Sequence, residues 1–145
     1  MLKGIPALIS PELLKILCEM GHGDEICIAD ANFPGASHAK HLIRMDGMGI
    51  PEILDAILTL MPLDQYVQKP ATLMQVVPGD PVKTPIWDTY KAIMARHDER
   101  GAACVEELER FAFYDRVRND CYAVIMSGET AQYANIILKK GVIKP

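Results

Sequence analysis

The residue best suited to acid–base chemistry is a histidine between two glycines, in the stretch Gly21-His22-Gly23. Glycine has no Cβ, so it permits φ > 0 and lets backbone or ligand approach closely. Histidine is the side chain whose unperturbed pKa, ~6.5, lies nearest neutrality, so it can both give and take protons. His22 is therefore a candidate acid–base group. The alternative is a loop histidine whose ring is hydrogen-bonded to backbone.

Other positions suit the binding of hydroxyl groups. Asp30 follows an apolar run and can accept a hydroxyl hydrogen bond, or it can simply close an Asx-turn. Arg110 stands where a predicted strand passes into a helix, so its planar set of donors could meet a polyol or a carboxylate. Tyr133 and Asn135 together supply donors and acceptors. The alternative for that pair is that Tyr133 packs and Asn135 closes a turn.

The sequence lacks the motifs of several common metal, nucleotide and hydrolase sites. His38 and His41 have no third ligand at a convincing spacing, so a solvated loop is a better interpretation than a metal site. The G-x-G at position 21 lacks the third glycine of a dinucleotide fingerprint, and the chain has no G-x-S-x-G elbow and no P-loop. Four cysteines without C-x-x-C spacing are interpreted as reduced core residues of a cytosolic protein: Cys18, Cys27, Cys104 and Cys121.

Composition indicates a folded globular chain. It has 145 residues, of which 50% are hydrophobic and 23% charged, which argues against disorder. The net charge of −4 provides no basic footprint for nucleic acid. No apolar run approaches the ~20 residues that cross a bilayer, and the first residues lack a signal-peptide core. We therefore expect no nucleic acid and no membrane among its partners, and a cytoplasmic location.

Helices and strands alternate along the chain. Helices are predicted from Ser10-Pro11 to Met20, from Pro51, from Thr84-Pro85, and over Phe111–Arg118. Strands are predicted at Ile26–Ala29, His41–Met45, Leu73–Val77, Glu106–Glu109 and Tyr122–Met126, with a further apolar run at Ile136–Leu138. Without repeats or linkers, residues 1–145 are predicted to form one α/β domain, a sheet with helices packed on its faces. Ligands of such sheets tend to sit outside the carboxyl ends of the strands, which is where Asp30 lies.

Assembled in order, these segments resemble the ribose pyranase and fucose mutarotase family nearly end to end. The matching pieces include Gly21-His22-Gly23-Asp24-Glu25-Ile26, Asp30-Ala31 with Phe33-Pro34, and Asn135-Ile136 with Leu138-Lys139-Lys140-Gly141. Each piece alone is weak, but the set at this spacing is highly specific. The segment Arg110-Phe111-Ala112-Phe113-Tyr114 favours the fucose branch.

The resemblance implies a ribose pyranase-like fold and an isomerase that interconverts the anomers of an unphosphorylated sugar, with L-fucose expected, without metal or organic cofactor. By motif, His22 takes the proton-donor position, and Asp30 and Arg110 take sugar-binding positions. Tyr133-Ala134-Asn135 takes the place of a tyrosine-glycine-asparagine ligand loop, with Ala134 where glycine is expected. The alternatives are interconversion of pyranose and furanose forms, as in the ribose pyranases, and a non-catalytic sugar-binding oligomer.

The spacing of His22 and Asp30 carries a geometric prediction. Eight residue steps of extended chain reach up to ~26 Å, and most of the segment is predicted strand. A straight strand would keep the two residues out of one pocket within one subunit. We therefore expect a composite site at a subunit interface, and the resemblance implies a ring-like homodecamer.

Overall fold

Strand β1, Glu25–Ala29, lies near the centre of a six-stranded mixed sheet in a computed structural model that describes all 145 residues. The other strands are β2 Leu42–Met45, β3 Ala71–Met74, β4 Val105–Leu108, β5 Cys121–Ser127 and β6 Ile136–Lys139. The helices are α1 Pro11–Glu19, α2 Gly35–His38, α3 Ile50–Leu60, α4 Pro85–His97 and α5 Arg110–Asp120, with a 3-10 turn at Gly101–Cys104. The structure contains no helix with the length and apolar character that a membrane span requires.

The two faces of the sheet bury separate cores. Along β1, Ile26 and Ile28 enter a cluster of 29 buried residues shared with α1, α3 and α4. Cys27 and Ala29 point the other way into a cluster of 10 shared with α5. Successive side chains of a strand alternate between faces, so a strand covered on both sides is apolar throughout. The predicted single-domain α/β sheet with helices on its faces is confirmed.

Only one strand runs against the others. The strand order is β2-β5-β1-β6-β3-β4, and β6 is antiparallel to both of its neighbours, β1 and β3. The remaining pairs, β1 with β5, β2 with β5, and β3 with β4, are parallel. The beginning of β6 therefore lies at the same edge of the sheet as the carboxyl ends of β1, β3 and β4.

Side chains cap the starts of two helices, α1 and α5, whereas Thr84 before α4 makes no side-chain cap hydrogen bond. The Ser10 hydroxyl accepts from the Leu13 backbone N–H at 3.1 Å, with Pro11 as the first helical residue of α1. At α5, the Glu109 carboxylate caps the helix by accepting from two backbone N–H groups, at 3.0 and 3.1 Å. Arg110 is consequently the first residue of α5, separated from the end of β4 only by the cap residue Glu109. The passage from strand to helix lies where the sequence predicted it, although the helix begins one residue before the predicted Phe111.

Three local expectations differ from the structure. The third strand ends at Met74 rather than Val77, because Met74 pairs with Leu108, the last residue of β4, and Leu73 pairs with Ile136, the first residue of β6. The short elements α2 and the 3-10 turn were not predicted, since four residues carry too little periodicity. Cys18 is exposed rather than buried, whereas the other three cysteines are buried, and all four are free.

A buried carboxylate at the start of β1 holds three elements together. Glu25 is 3% exposed and receives two hydrogen bonds from the Arg116 guanidinium of α5, at 2.7 and 3.0 Å. Lys139 at the end of β6 lies 3.1 Å from the same carboxylate. Burial acts to raise the pKa of Glu25, but these two cations outweigh it and hold the pKa below its ordinary value.

Candidate active site

A polar cleft opens at the edge where β1, β3 and β4 end and β6 begins. Its volume is about 180 Å³. This is smaller than the ~300–1,000 Å³ typical of sites for drug-sized ligands, which suits a ligand the size of a monosaccharide. The residues lining it are Asp30, Asn32, Phe33, Met74, Arg110, Tyr114, Gln132, Tyr133 and Asn135. Four of the six residues singled out from the sequence are therefore brought together by the fold.

Asp30 is the buried acceptor of this cleft. It is 6% exposed, and Oδ1 accepts from the Asn32 backbone N–H at 2.9 Å in an Asx-turn. The Asp30 backbone N–H in turn donates to Oδ1 of Asn135 at 2.8 Å. Burial raises the pKa of Asp30 above its ordinary value, although nearby N–H groups partly offset it. The carboxylate keeps lone pairs facing the cleft, and these can accept hydrogen bonds from hydroxyl groups.

The ligand loop Tyr133-Ala134-Asn135 has an unusual backbone. Tyr133 has φ of 56°, the only positive φ outside glycine in the chain. Its phenol donates to Asp80 at 2.6 Å, so the proton of that hydroxyl is already committed. Ala134 is fully buried in the larger core, and its methyl group does not line the cleft. The Asn135 side chain also lines the cleft, with Oδ1 bonded to the Asp30 backbone N–H and its amide group beside the Asp30 carboxylate.

Arg110 and Tyr114 form the opposite wall. They lie one turn apart on α5, and the Arg110 Nε donates to the Tyr114 hydroxyl at 3.3 Å. The guanidinium also stacks over the Tyr114 ring, 5.5 Å from its centroid. Tyr114 was not singled out from the sequence, but its i+4 spacing from Arg110 on a predicted helix was the signal that could have found it. Asn32, Phe33, Met74 and Gln132 had no such signal.

His22 lies outside this cleft, at the opposite edge of the sheet. It follows α1, and the Gly23 N–H donates to the carbonyl of Lys140 just beyond the end of β6. Gly23 has φ of 87°, a conformation that glycine adopts at little cost. His22 therefore precedes β1 while Asp30 follows it, and the intervening strand of five residues spans roughly 15 Å. The predicted separation within one chain is what the structure shows.

His22 is oriented by a buried carboxylate. Its Nε2 lies 3.0 Å from Oδ1 of Asp64, whose side chain is 4% exposed against 44% for the histidine. Burial acts to raise the pKa of Asp64, but hydrogen bonds from the Tyr66 backbone N–H and the His22 ring outweigh it, so that pKa lies below its ordinary value. The Tyr66 ring also packs on the imidazole, with centroids 5.3 Å apart. Asp64 and Tyr66 were not found from the sequence, because 42 residues separate Asp64 from its partner.

Two further histidines, His38 and His41, contact neighbouring side chains and do not line the cleft. His38 bonds to Ser37 and to Arg118 at 2.9 and 2.8 Å, and His41 packs on Tyr122 with centroids 4.7 Å apart. No three His, Cys, Asp or Glu side chains come together in a group that could hold a metal ion.

The fold and the site define a small α/β protein with a polar cleft at one edge of its mixed sheet and a histidine bonded to a buried carboxylate at the other. The chain belongs to the RbsD/FucU transport protein family, whose sequence model matches residues 3–143. It is 51% identical over 150 residues to the fucose mutarotase of Bos taurus, covering 99% of this chain and 95% of that one.

Two solved structures are similar throughout. The crystal structure of FucU from Bifidobacterium longum has 62% identity and a TM-score of 0.96, covering 98% of this chain and 100% of that one. The fucose mutarotase from Streptococcus pneumoniae, crystallised in complex with L-fucose, has 53% identity and a TM-score of 0.92, with 99% and 100% covered.

Proposed function

We propose that this protein is an isomerase that interconverts the α and β anomers of L-fucose. The observation that carries this proposal is the cleft, where a buried carboxylate, a guanidinium, a phenol and an amide converge in a space of monosaccharide size. Full-length similarity to an enzyme crystallised with L-fucose supports the choice of sugar. The residues of the cleft supply hydrogen-bond donors and acceptors together, which a hydroxyl-rich ligand requires.

Interconversion of the two anomers requires only proton transfers to and from the sugar. A proton is delivered to the ring oxygen while the anomeric hydroxyl loses one, the bond from C1 to the ring oxygen opens, and the aldehyde end rotates. Closure on the other face then gives the second anomer, with no net oxidation or reduction. One positioned acid–base group contributes about 10²–10⁴ in rate, and orientation adds more. We assign acid–base catalysis to His22. Asp30 accepts a hydrogen bond from a sugar hydroxyl, and Arg110 and the Tyr133-Ala134-Asn135 loop position the sugar.

Within that loop, the proposed roles differ by residue. The Asn135 side chain contacts the sugar, the Tyr133 ring forms part of the wall, and Ala134 contributes its backbone. Tyr114 joins Arg110 at the wall, and its hydroxyl is a second group able to relay a proton to or from the sugar.

The catalytic histidine and the cleft are proposed to come from different subunits. Within one chain they lie at opposite ends of β1, so neither half is complete alone. Each half carries an exposed aromatic ring at its rim, Tyr66 beside His22 at 67% exposure and Phe111 beside Arg110 at 65%. Exposed aromatic residues are enriched at subunit contacts. We infer a homo-oligomer in which the His22 edge of one subunit closes the cleft of its neighbour, with the ring-like decamer as the expected form.

The compartment proposed for the enzyme is the cytoplasm. All four cysteines are free, and three of them are buried. Unpaired thiols are typical of a reducing compartment.

Saturation-transfer NMR on the anomeric protons tests the proposal. The purified protein is expected to accelerate exchange between the α and β signals of L-fucose, and His22→Gln is expected to return the rate to that of free sugar while chemical-shift titration still shows binding. The matched control is His41→Gln, which changes a histidine that packs on Tyr122 and does not line the cleft. No acceleration by the unmodified protein would overturn the proposal. Binding without acceleration would leave a sugar-binding oligomer, and acceleration only of pyranose–furanose exchange of D-ribose would leave a pyranase.

A further inference from the structure

Helix α4 contacts the ligand loop without entering the cleft. The Trp87 indole Nε1–H donates to the carbonyl oxygen of Tyr133 at 2.8 Å. Three residues further along α4, the Tyr90 hydroxyl donates to the carbonyl oxygen of Ala134, also at 2.8 Å. Residues at i and i+3 share one face of a helix, so a single face of α4 binds two successive carbonyl groups of the loop.

Both donors are fixed by burial. Tyr90 is fully buried and Trp87 is 9% exposed, and neither lines the cleft. Burial raises the pKa of Tyr90 far above its ordinary value, so its hydroxyl stays protonated and keeps donating. A buried carbonyl without its donor carries a desolvation penalty, which makes these two hydrogen bonds costly to lose.

These hydrogen bonds determine where the polar groups of the loop point. Tyr133 occupies the left-handed region, with φ of 56°, which is unfavourable for a residue with a Cβ and persists only where surrounding contacts enforce it. With the carbonyls of Tyr133 and Ala134 held toward α4, the Ala134 N–H and the Asn135 side chain face Asp30. The Asn135 Oδ1 accepts the Asp30 backbone N–H at 2.8 Å. The Ala134 N–H is also among the groups that stabilise the charged Asp30 carboxylate.

We propose that Trp87 and Tyr90 are positioning residues for sugar turnover, which act by holding the ligand loop so that Asn135 and Asp30 meet the sugar in a fixed arrangement. This inference rests on the proposed sugar site and adds to it two residues of α4 that touch no substrate. Their conservative replacements, Tyr90→Phe and Trp87→Phe, remove one hydrogen-bond donor each and leave an aromatic ring in the core.

The test separates positioning from simple stability. Each variant is expected to lower kcat/KM for anomer exchange of L-fucose by roughly 10-fold, because small displacements of binding groups are costly in rate. The matched control is Ile93→Ala, a buried residue of the same helix without a hydrogen bond to the loop. It is expected to lower the melting temperature at least as much while leaving kcat/KM within about 2-fold of the unmodified enzyme.

A double-mutant cycle with Asn135→Ala supplies a readout that a purely structural role would not move. If α4 acts through the loop, Tyr90→Phe lowers kcat/KM in the unmodified background and by less than about 2-fold when Asn135 is already alanine. Its effect on melting temperature should be the same in both backgrounds. Equal losses of activity in both backgrounds, or an equal loss in Ile93→Ala, would overturn the inference.

The loop can also be observed without activity. The side-chain amide signals of Asn135 in 1H–15N spectra are expected to shift in Tyr90→Phe and Trp87→Phe and to stay in place in Ile93→Ala. An unmodified protein inactive on L-fucose would overturn the proposed function, whereas an active protein unaffected by either α4 variant would overturn only the positioning role. If Tyr90→Phe does not fold, Trp87→Phe decides the question by the same measurements.

Discussion

The Nε2 atom of His22 lies 3.0 Å from Oδ1 of Asp64, a carboxylate buried at the edge of the sheet opposite the cleft. The pKa of Asp64 is held below its ordinary value, so this group is ionised at neutral pH and can only accept a hydrogen bond. The proton of a neutral His22 ring is therefore on Nε2. In the proposed mechanism, Nδ1 is therefore the nitrogen left to exchange a proton with the sugar.

Asp64→Asn should therefore impair catalysis without abolishing sugar binding in the cleft. An amide can donate to Nε2 and thereby favour the other tautomer of His22, so we expect anomer exchange to slow by about 10²-fold, with sugar binding retained. Saturation-transfer NMR measures the rate. The control is Asp55→Asn, which alters the exposed pair between Asp55 and His97, whose atoms lie 2.7 Å apart. An unchanged rate in Asp64→Asn would show that His22 does not depend on this carboxylate.

Complementation between inactive variants tests the shared site. His22→Gln and Asp30→Asn, each inactive alone, are expected to regain about a quarter of the unmodified activity when co-expressed and mixed at random, because each oligomer then contains some contacts with two intact halves. The control is co-expression of His22→Gln with the double variant His22→Gln/Asp30→Asn, in which no intact histidine exists. Absence of rescue in mixed oligomers would place the complete site within one subunit.

Asp30→Asn should stabilise the fold at neutral pH. Because the folded-state pKa of Asp30 is raised, its contribution to stability is fully present below its unfolded pKa of ~3.9 and is lost as the pH rises through the folded value. An amide avoids burying that charge, so the melting temperature at pH 7 should rise by a few degrees, with the gap closing near pH 4. Thermal melts across pH 4–8 measure this, and a lower melting temperature at pH 7 would contradict it.

Glu25→Gln is the contrasting control among the buried carboxylates. Its folded-state pKa is lowered by Arg116 and Lys139, so its stabilisation is present above the unfolded pKa and is lost as the pH falls. Removing this charge should cost roughly 3 kcal/mol at pH 7, and the deficit should shrink toward pH 4. We therefore expect the stability differences of the two variants from the unmodified protein to have opposite signs at pH 7 and to shrink together toward pH 4.

Ala134→Gly should affect stability rather than the choice of sugar. The methyl group of Ala134 is fully buried in the core, and the positive φ of the loop falls on Tyr133 instead. Glycine should cost about 1–2 kcal/mol through lost burial and added unfolded-state freedom. Denaturant unfolding measures the cost, and exchange rates for L-fucose and D-ribose should keep their ratio. A changed ratio would show that the methyl group shapes the cleft.

The architecture followed from the sequence where local rules act. The Ser10-Pro11 helix start, the apolar run Ile26–Ala29 of β1 and the passage from β4 into α5 each depend on signals within a few residues, and each was predicted. The direction of β6 is a tertiary property, because an apolar run such as Ile136–Leu138 has the same pattern in either orientation. Its reversal brings Asn135 to Asp30, from which it is separated by 105 residues.

Residues of the candidate site could be predicted where the residue type itself indicates an acid–base or binding role. His22, Asp30 and Arg110 stood out because each carries a charge or a proton at the end of an element. Asp64 and Trp87 did not, since an aspartate after an apolar run and a tryptophan on an amphipathic helix have ordinary structural interpretations. Their roles depend on partners 42 and 46 residues away, and no local pattern encodes that contact.

Strand β6 fixes the distance between the two half-sites. Asn135 directly precedes it and meets Asp30, while Lys140 directly follows it and accepts the Gly23 N–H beside His22. A shift of one residue in its register would turn Ile136 and Leu138 away from their core and move both ends together. An insertion or deletion within these four residues should therefore change the spacing between the two half-sites, and the length of β6 should be invariant wherever the activity survives.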